Sequence, residues 1–173
     1  MFIPLVKRFI LPASRRATPI RIPRIRPAFL SEVSMNHLYA LLGRIGLSLI
    51  FIASGWSKLA GYLATQQYME AMGVPGALLP LVIALEIGGG LAVLAGVFTR
   101  SAALSLAVFS LAAGFLFHAD LADQNQFIHL MKNVALGGGF LMLAANGAGA
   151  FSVDAWRRDR KLSPVLSTGG GAL

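Results

Sequence analysis

The chain has 173 residues, 56% of them hydrophobic and only 13% charged, against about 25% charged in an average soluble domain. So little charge cannot clothe a soluble fold of this size, which excludes an ordinary aqueous globular domain and makes lipid the solvent for most of the chain. There is no cysteine, which excludes disulfides, thiolate metal sites, iron–sulfur clusters on the chain's own ligands and any mechanism that cycles a thiol of this chain.

The net charge of +8 is unevenly placed. Residues 1–34 carry Lys7, Arg8, Arg15, Arg16, Arg21, Arg24 and Arg26 against Glu32 alone, while the rest of the chain holds eight basic and six acidic residues. The basicity therefore belongs to a tail, and no nucleic-acid partner is expected. Pro4, Pro12, Pro19, Pro23 and Pro27 deny that tail a regular helix, so residues 1–35 are expected to form a disordered basic extension. It reads as an organelle transit peptide, as a polybasic arm for anionic lipid, or as residues upstream of a true start at Met35 rather than Met1. The prolines weigh against the amphipathic helix of a transit peptide and favour the start at Met35. No secretory signal is visible, because the early apolar stretch is broken by Pro4, Lys7 and Arg8.

Residues 36–156 contain four apolar segments. They fall at about Leu38–Leu59, Ala77–Thr99 with Glu86 as its only charge, Ser101–Ala119, and within Asn133–Val153. Nineteen uncharged residues make a helix of about 28 Å, which matches a hydrocarbon core of about 30 Å. Without period-2 alternation the spans must be helices. The expected fold is an all-α membrane protein, an antiparallel four-transmembrane-helix bundle. Gly61 to Gly76 reads as an outer loop, and residues 157–173 as a cytoplasmic tail, loose from Ser163 onward. Arg44, Arg100, Arg157, Arg158, Arg160 and Lys161 all fall on one side of such a bundle, so both termini are expected in the cytoplasm.

Arg44, Ser48, Phe51, Gly55, Lys58 and Tyr62 recur at steps of four and three and share one helical face, a polar and small stripe that should turn away from lipid. Taken singly, Arg44 and Lys58 also suit end anchors that snorkel to the interfaces. Glu86 sits near the middle of its span, where a carboxylate costs at least about 2.5 kcal/mol. It should point inward and find a basic or hydroxyl partner, with Arg44 named first and Lys58 second. These three residues form a candidate intramembrane polar site, read either as a proton relay or ligand anchor or as an ion pair fixing helix register. Gly88, Ala92 and Gly96, like Gly137, Gly138 and Gly139, read as helix-packing seams, because no strand or Lys-Ser/Thr makes them a phosphate loop.

A second candidate site gathers at the outer face, where His118, Asp120, Asp123, His129, Lys132 and Asn133 lie at about the depth of Lys58. Metal binding is not expected, since the ligand spacing is unrecognised and the lysines repel a cation. An anionic or quinone-like ligand fits better, with Lys58 and Lys132 as donors and His118 as proton carrier. Interfacial anchoring accounts for the same side chains.

Gly43-Arg44 with Phe51, Gly55 and Lys58, Leu85-Glu86-Ile87-Gly88-Gly89, Phe117-His118, Lys132-Asn133 with Gly137-Gly138, and Gly147-Ala148-Gly149-Ala150-Phe151-Ser152-Val153-Asp154 together resemble the DoxX family of small bacterial inner-membrane proteins. The likeness runs from about Asn36 to Trp156. The tail before Met35 departs from the family pattern. The resemblance implies a four-helix protein of the bacterial inner membrane and a link to redox chemistry, since the family is named after a subunit of a thiosulfate:quinone oxidoreductase and other members are associated with oxidative-stress complexes. It supplies no catalytic residue. The functional expectation is thus a subunit or accessory of a quinone-linked or oxidative-stress membrane system, with an oxidoreductase partner, quinone as ligand and no covalently bound cofactor. A small proton-coupled transporter or channel titrating at Glu86, forming a homo-oligomer, and a structural assembly partner without its own activity are the alternatives.

Overall fold

The computed structural model describes residues 27–168. The expectations for residues 1–26 and 169–173 lie outside the described residues. Every regular element among the described residues is helical. In chain order these are α1 (Pro27–Ala60), α2 (Tyr62–Ala71), a single 3₁₀ turn (Gly76–Leu78), α3 (Leu79–Ala95), α4 (Thr99–Phe117), α5 (Gln124–Asn146) and α6 (Val153–Thr168). Four helical segments are long and apolar enough to cross a bilayer: Met35–Ala60, Gly76–Ala95, Thr99–Phe117 and Gln124–Asn146.

The expected spans are present, but their ends move for local reasons. Pro27 is accommodated in the first turn of α1, where its missing N–H costs nothing, so residues 27–35 belong to that helix rather than to an irregular extension. α3 stops at Gly96, which adopts the left-handed conformation at φ 70° and closes the last turn through bonds from its own N–H. Thr99 therefore opens α4 instead of ending the span before it. The fourth span starts nine residues earlier than Asn133, because the Asp123 side chain accepts from the N–H groups of Asn125 and Gln126 and caps α5. It ends at Asn146, where Gly147 takes φ 79°. The stretch expected to be an outer loop instead folds into α2 and the 3₁₀ turn, and the loose tail from Ser163 continues as α6 through Thr168.

α1 packs on α3 and α4 on α5, with further contacts between α3 and α4 and between α1 and α5. Arg44 meets Val93 while Lys58 meets Glu86, so α1 and α3 run in opposite directions. A Cβ on Gly55 would lie 2.6 Å from Ile87 Cγ1, and one on Gly90 would lie 2.9 Å from Ile52 Cγ1. Bare glycine is what lets these two helices approach. The anticipated ladder of Gly88, Ala92 and Gly96 is not that seam: Gly88 faces open space and Gly96 serves as the helix stop. The core between the helices is built from Phe51, Val93, Ala103, Leu106, Ala107 and Phe140, with Phe51 edge-on to Phe140 at 5.2 Å. A second cluster, Met69, Leu79 and Ile83, ties α2 to the start of α3.

Candidate functional site

The stripe on α1 faces inward: Arg44, Ser48, Phe51 and Gly55 are all buried. Its two cations meet different surroundings. Arg44 is 2% exposed and spends its guanidinium on backbone. Nε donates to Val93 O at 3.0 Å, Nη2 to Leu94 O at 2.6 Å, and Nη1 to Ala148 O at 2.7 Å and Phe151 O at 2.8 Å. Two carbonyls in the last turn of α3, where intrahelical donors run out, are thereby joined to the α5–α6 connection. Arg44 is therefore neither an interfacial anchor nor the partner of Glu86, which corrects the leading expectation for it.

Lys58 takes that partnership. Its Nζ lies 2.9 Å from Glu86 Oε1 and donates to Ser54 Oγ at 2.7 Å, while Ser54 Oγ donates to the same carboxylate oxygen at 3.2 Å. Helical spacing explains the triad, because Ser54 and Lys58 are one turn apart on α1 and Gly55 between them lets α3 bring Glu86 close. Glu86 is 3% exposed and the Lys58 side chain 27%. The other carboxylate oxygen, Oε2, is buried without a hydrogen-bond partner. A desolvated carboxylate with one satisfied oxygen is costly to keep.

The triad stands on the wall of a cavity of about 360 Å³, within the range of about 300–1,000 Å³ common for small-molecule sites. Phe51, Tyr68, Phe109, Phe117 and Leu136 supply apolar and aromatic wall, and His118, His129, Lys132 and Asn133 complete the polar lining. The two sites expected from sequence are thus one site, with Arg44 outside it. His118 Nδ1 is 2.7 Å from Gln126 Oε1, and its ring stacks on His129 with centroids 4.9 Å apart. In the neutral tautomer that donates from Nδ1 to the Gln126 carbonyl, Nε2 keeps its lone pair. Asn133 Nδ2 donates to His129 O at 3.0 Å. Asp120 and Asp123 play other parts: Asp120 accepts from the Ala122 N–H, and Asp123 caps α5.

No pattern along the sequence marks Thr65, Tyr68 or Gln126 for the site. Ser54 sits one turn before Lys58, a spacing that signals it. Tyr68 and Thr65 arrive on α2, in the segment whose composition predicts a loop, and Tyr68 stacks on Phe117 at 5.7 Å.

The arrangement offers a concave, mostly apolar chamber with cationic and hydrogen-bonding groups, buried among helices of membrane-spanning length. Known proteins agree with that setting. Inner membrane protein YqjF of Escherichia coli (strain K12) is 54% identical over 114 residues, covering 66% of this chain and 88% of the relative. Inner membrane protein YphA of the same organism is 35% identical over 122 residues, covering 66% of this chain and 86% of the relative. No solved structure matches. The DoxX pattern matches residues 39–119, a stretch that holds Arg44, Ser54, Lys58, Glu86 and His118, and with the extent of the likeness to YqjF it places the chain in the DoxX family.

Proposed function

We propose that the cavity is a quinone-headgroup site and that the protein is a subunit or accessory of a quinone-linked or oxidative-stress redox system in the bacterial inner membrane. The observation that carries this reading is the single chamber in which aromatic walls meet Lys58, Lys132, Asn133 and His118. A planar ring suits the faces of Phe51, Phe109 and Phe117, and ammonium and amide groups suit its carbonyl oxygens. A bound quinone supplies two-electron, two-proton chemistry. The chain's own residues would hold the ring, donate to its oxygens and take or return a proton at His118 Nε2. With no thiol of its own, the chain would receive electrons from an oxidoreductase partner.

The test is binding of a short-tailed ubiquinone analogue to the purified protein. Lys132→Met removes the charged donor and keeps an apolar stem, so binding should weaken by about tenfold, or about 1.4 kcal/mol, with the melting temperature unchanged. Equal binding by Lys132→Met and wild type would overturn the quinone reading. Recovery of the protein from native membranes in mild detergent should bring the redox partner with it.

One observation favours a second reading, a proton-coupled transporter: Glu86 keeps an unpartnered oxygen beside the same chamber. Proton flux into liposomes that disappears in Glu86→Gln would select it. Both readings place the two termini in the cytoplasm, from the one-sided Lys/Arg distribution. Reporter fusions after Arg100 and Lys161 should report cytoplasm, and fusions after Gly73 and Asp123 the opposite side.

A further inference from the structure

Along each helix, a second concavity lies at the end opposite the quinone cavity. The connection from α3 to α4, the first turn of α4, residues 146–150 and the first half of α6 enclose a cleft of about 870 Å³. Arg100, Arg157, Arg158 and Lys161 line it against Asp154 and Asp159, so cations outnumber acids two to one. The cleft is preformed. Asp154 pins α6 to the bundle, its N–H donating to Gly96 O at 2.9 Å and its carboxylate accepting from the Phe98 N–H at 3.0 Å, the Thr99 N–H at 2.9 Å and the Thr99 hydroxyl at 2.9 Å. Two acids cannot balance the four cations of the cleft, and one of the two, Asp154, directs its oxygens at the start of α4.

The surroundings of the cleft say what would neutralise it. α4 is long and apolar enough to cross a bilayer and begins at Thr99, which puts Arg100 in its first turn, at the headgroup level of such a span. Leu104 and Val108 follow at steps of four on the same face and are 51% and 61% exposed, so an apolar track runs from the cation into the span. Phe98, 70% exposed, flanks the cleft with Arg157 5.6 Å from its ring centroid, and Trp156 presents its ring under Arg160 at 3.9 Å. Aromatic rings beside arginines at the end of a spanning helix belong to the lipid–water interface. A soluble anion would satisfy the charges but not the track.

We infer that this cleft binds the phosphate headgroup of an anionic phospholipid, with Arg100, Arg157 and Arg158 as its donors and one acyl chain lying along Leu104 and Val108. The inference is independent of the quinone reading, since the two sites share no residue.

The experiment is native mass spectrometry of the full-length protein, stripped in mild detergent and offered equal amounts of phosphatidylglycerol and phosphatidylcholine with the same acyl chains. Wild type should retain the anionic lipid roughly tenfold or more over the zwitterionic one, and R100Q/R157Q should bring the ratio near one. R100K/R157K should keep most of the preference, and Lys132→Gln all of it. An equal ratio in wild type and R100Q/R157Q overturns the inference. Displacement of the lipid by excess inorganic phosphate also overturns it, in favour of a soluble anion. Should R100Q/R157Q fail to fold, the Trp56→Phe protein, in which Trp156 is the remaining tryptophan, gives an independent readout. Brominated phosphatidylglycerol should quench it more than brominated phosphatidylcholine, and equal quenching counts against the site.

Discussion

Arg44 and Lys58 occupy the same face of one helix and both are withdrawn from lipid, yet the structure uses them in opposite ways. The guanidinium is closed: its donors are directed at four carbonyls from two separate segments, and its planar fork suits such fixed, multiple bonding. The ammonium is open. It has three donors, of which Glu86 Oε1 and Ser54 Oγ engage two, and it faces a chamber with room for a ligand. A buried cation is thus a sign of function only where the surroundings leave it something to bind. At the Arg44 end backbone carbonyls occupy the donors, and at the Lys58 end one carboxylate oxygen and one ammonium donor remain over.

The comparison breaks most visibly at Arg44. Arg44→Met leaves the carbonyls of Leu94, Ala148 and Phe151 without the guanidinium and Val93 with only the Gly96 N–H, each lost bond costing about 1–3 kcal/mol if the acceptor stays dry, so the variant should lose at least about 3 kcal/mol or fail to accumulate. Arg44→Lys should recover only part of this, because one ammonium cannot span Val93, Leu94, Ala148 and Phe151. Thermal unfolding in detergent is the measurement, and near-wild-type stability in Arg44→Met would show that the guanidinium is not a clamp. Glu86→Ala should do less damage, about 2 kcal/mol, since the stranded Lys58 can still turn toward the cavity and hydrate. Glu86→Gln should stay within about 1 kcal/mol of wild type, its amide oxygen accepting from Lys58 and Ser54. A double-mutant cycle with Lys58→Met should return a coupling of about 0.5–3 kcal/mol. No coupling would mean that the pair is incidental.

How these residues divide could be read from the sequence only in part. Steps of four and three along α1 place Arg44, Ser48, Phe51, Gly55 and Lys58 on one face whatever the rest of the chain does, so the inward stripe and its two cations were legible. Which cation meets Glu86 was not. That depends on the relative slide of α1 and α3, which the approach at Gly55 and Gly90 sets and no single-helix pattern encodes. Likewise, hydropathy located four spans, but the fourth was misplaced toward its uncharged run. The Asp123 cap is a short-range signal and starts α5 among polar residues at Gln124, ahead of the uncharged run. The merging of the two candidate sites into one chamber is a tertiary fact, resting on α2 bringing Tyr68 and Met69 against α3 and α4.

Lys132 sharpens the comparison from the ligand side. It is exposed on the cavity wall, so its removal should leave thermal stability untouched while costing about tenfold in quinone-analogue affinity. Lys58→Met should lose both affinity and stability, because that side chain also holds Glu86. Separation of the two effects at Lys132 and their coincidence at Lys58 is the expected pattern. A stability loss at Lys132 equal to that at Lys58 would move Lys132 into the structural class with Arg44.

The smallest effect belongs to Asp154, at the Arg44 end and outside the spanning segments. Partial burial raises its carboxyl, but hydrogen bonds from the Thr99 N–H, the Thr99 hydroxyl and the Phe98 N–H, together with the Arg157 charge, outweigh burial and hold it below the ordinary carboxylate value. A lowered acid stabilises the fold above its unfolded pKa and loses that contribution as the pH falls through the lowered folded value. The carboxylate also sits at the start of α4, where an anion complements the helix dipole and where it holds Phe98 in a left-handed conformation at φ 46°. Asp154→Asn should therefore cost about 1 kcal/mol at neutral pH, as loss of a helix cap does. The gap between variant and wild type should close as the pH drops below the usual carboxylate range. Hydrogen exchange in α6 should rise in the variant at neutral pH while the exchange of α1 next to Lys58 stays as in wild type. A stability gap that persists unchanged into acid would show that Asp154 acts through packing and not through its charge.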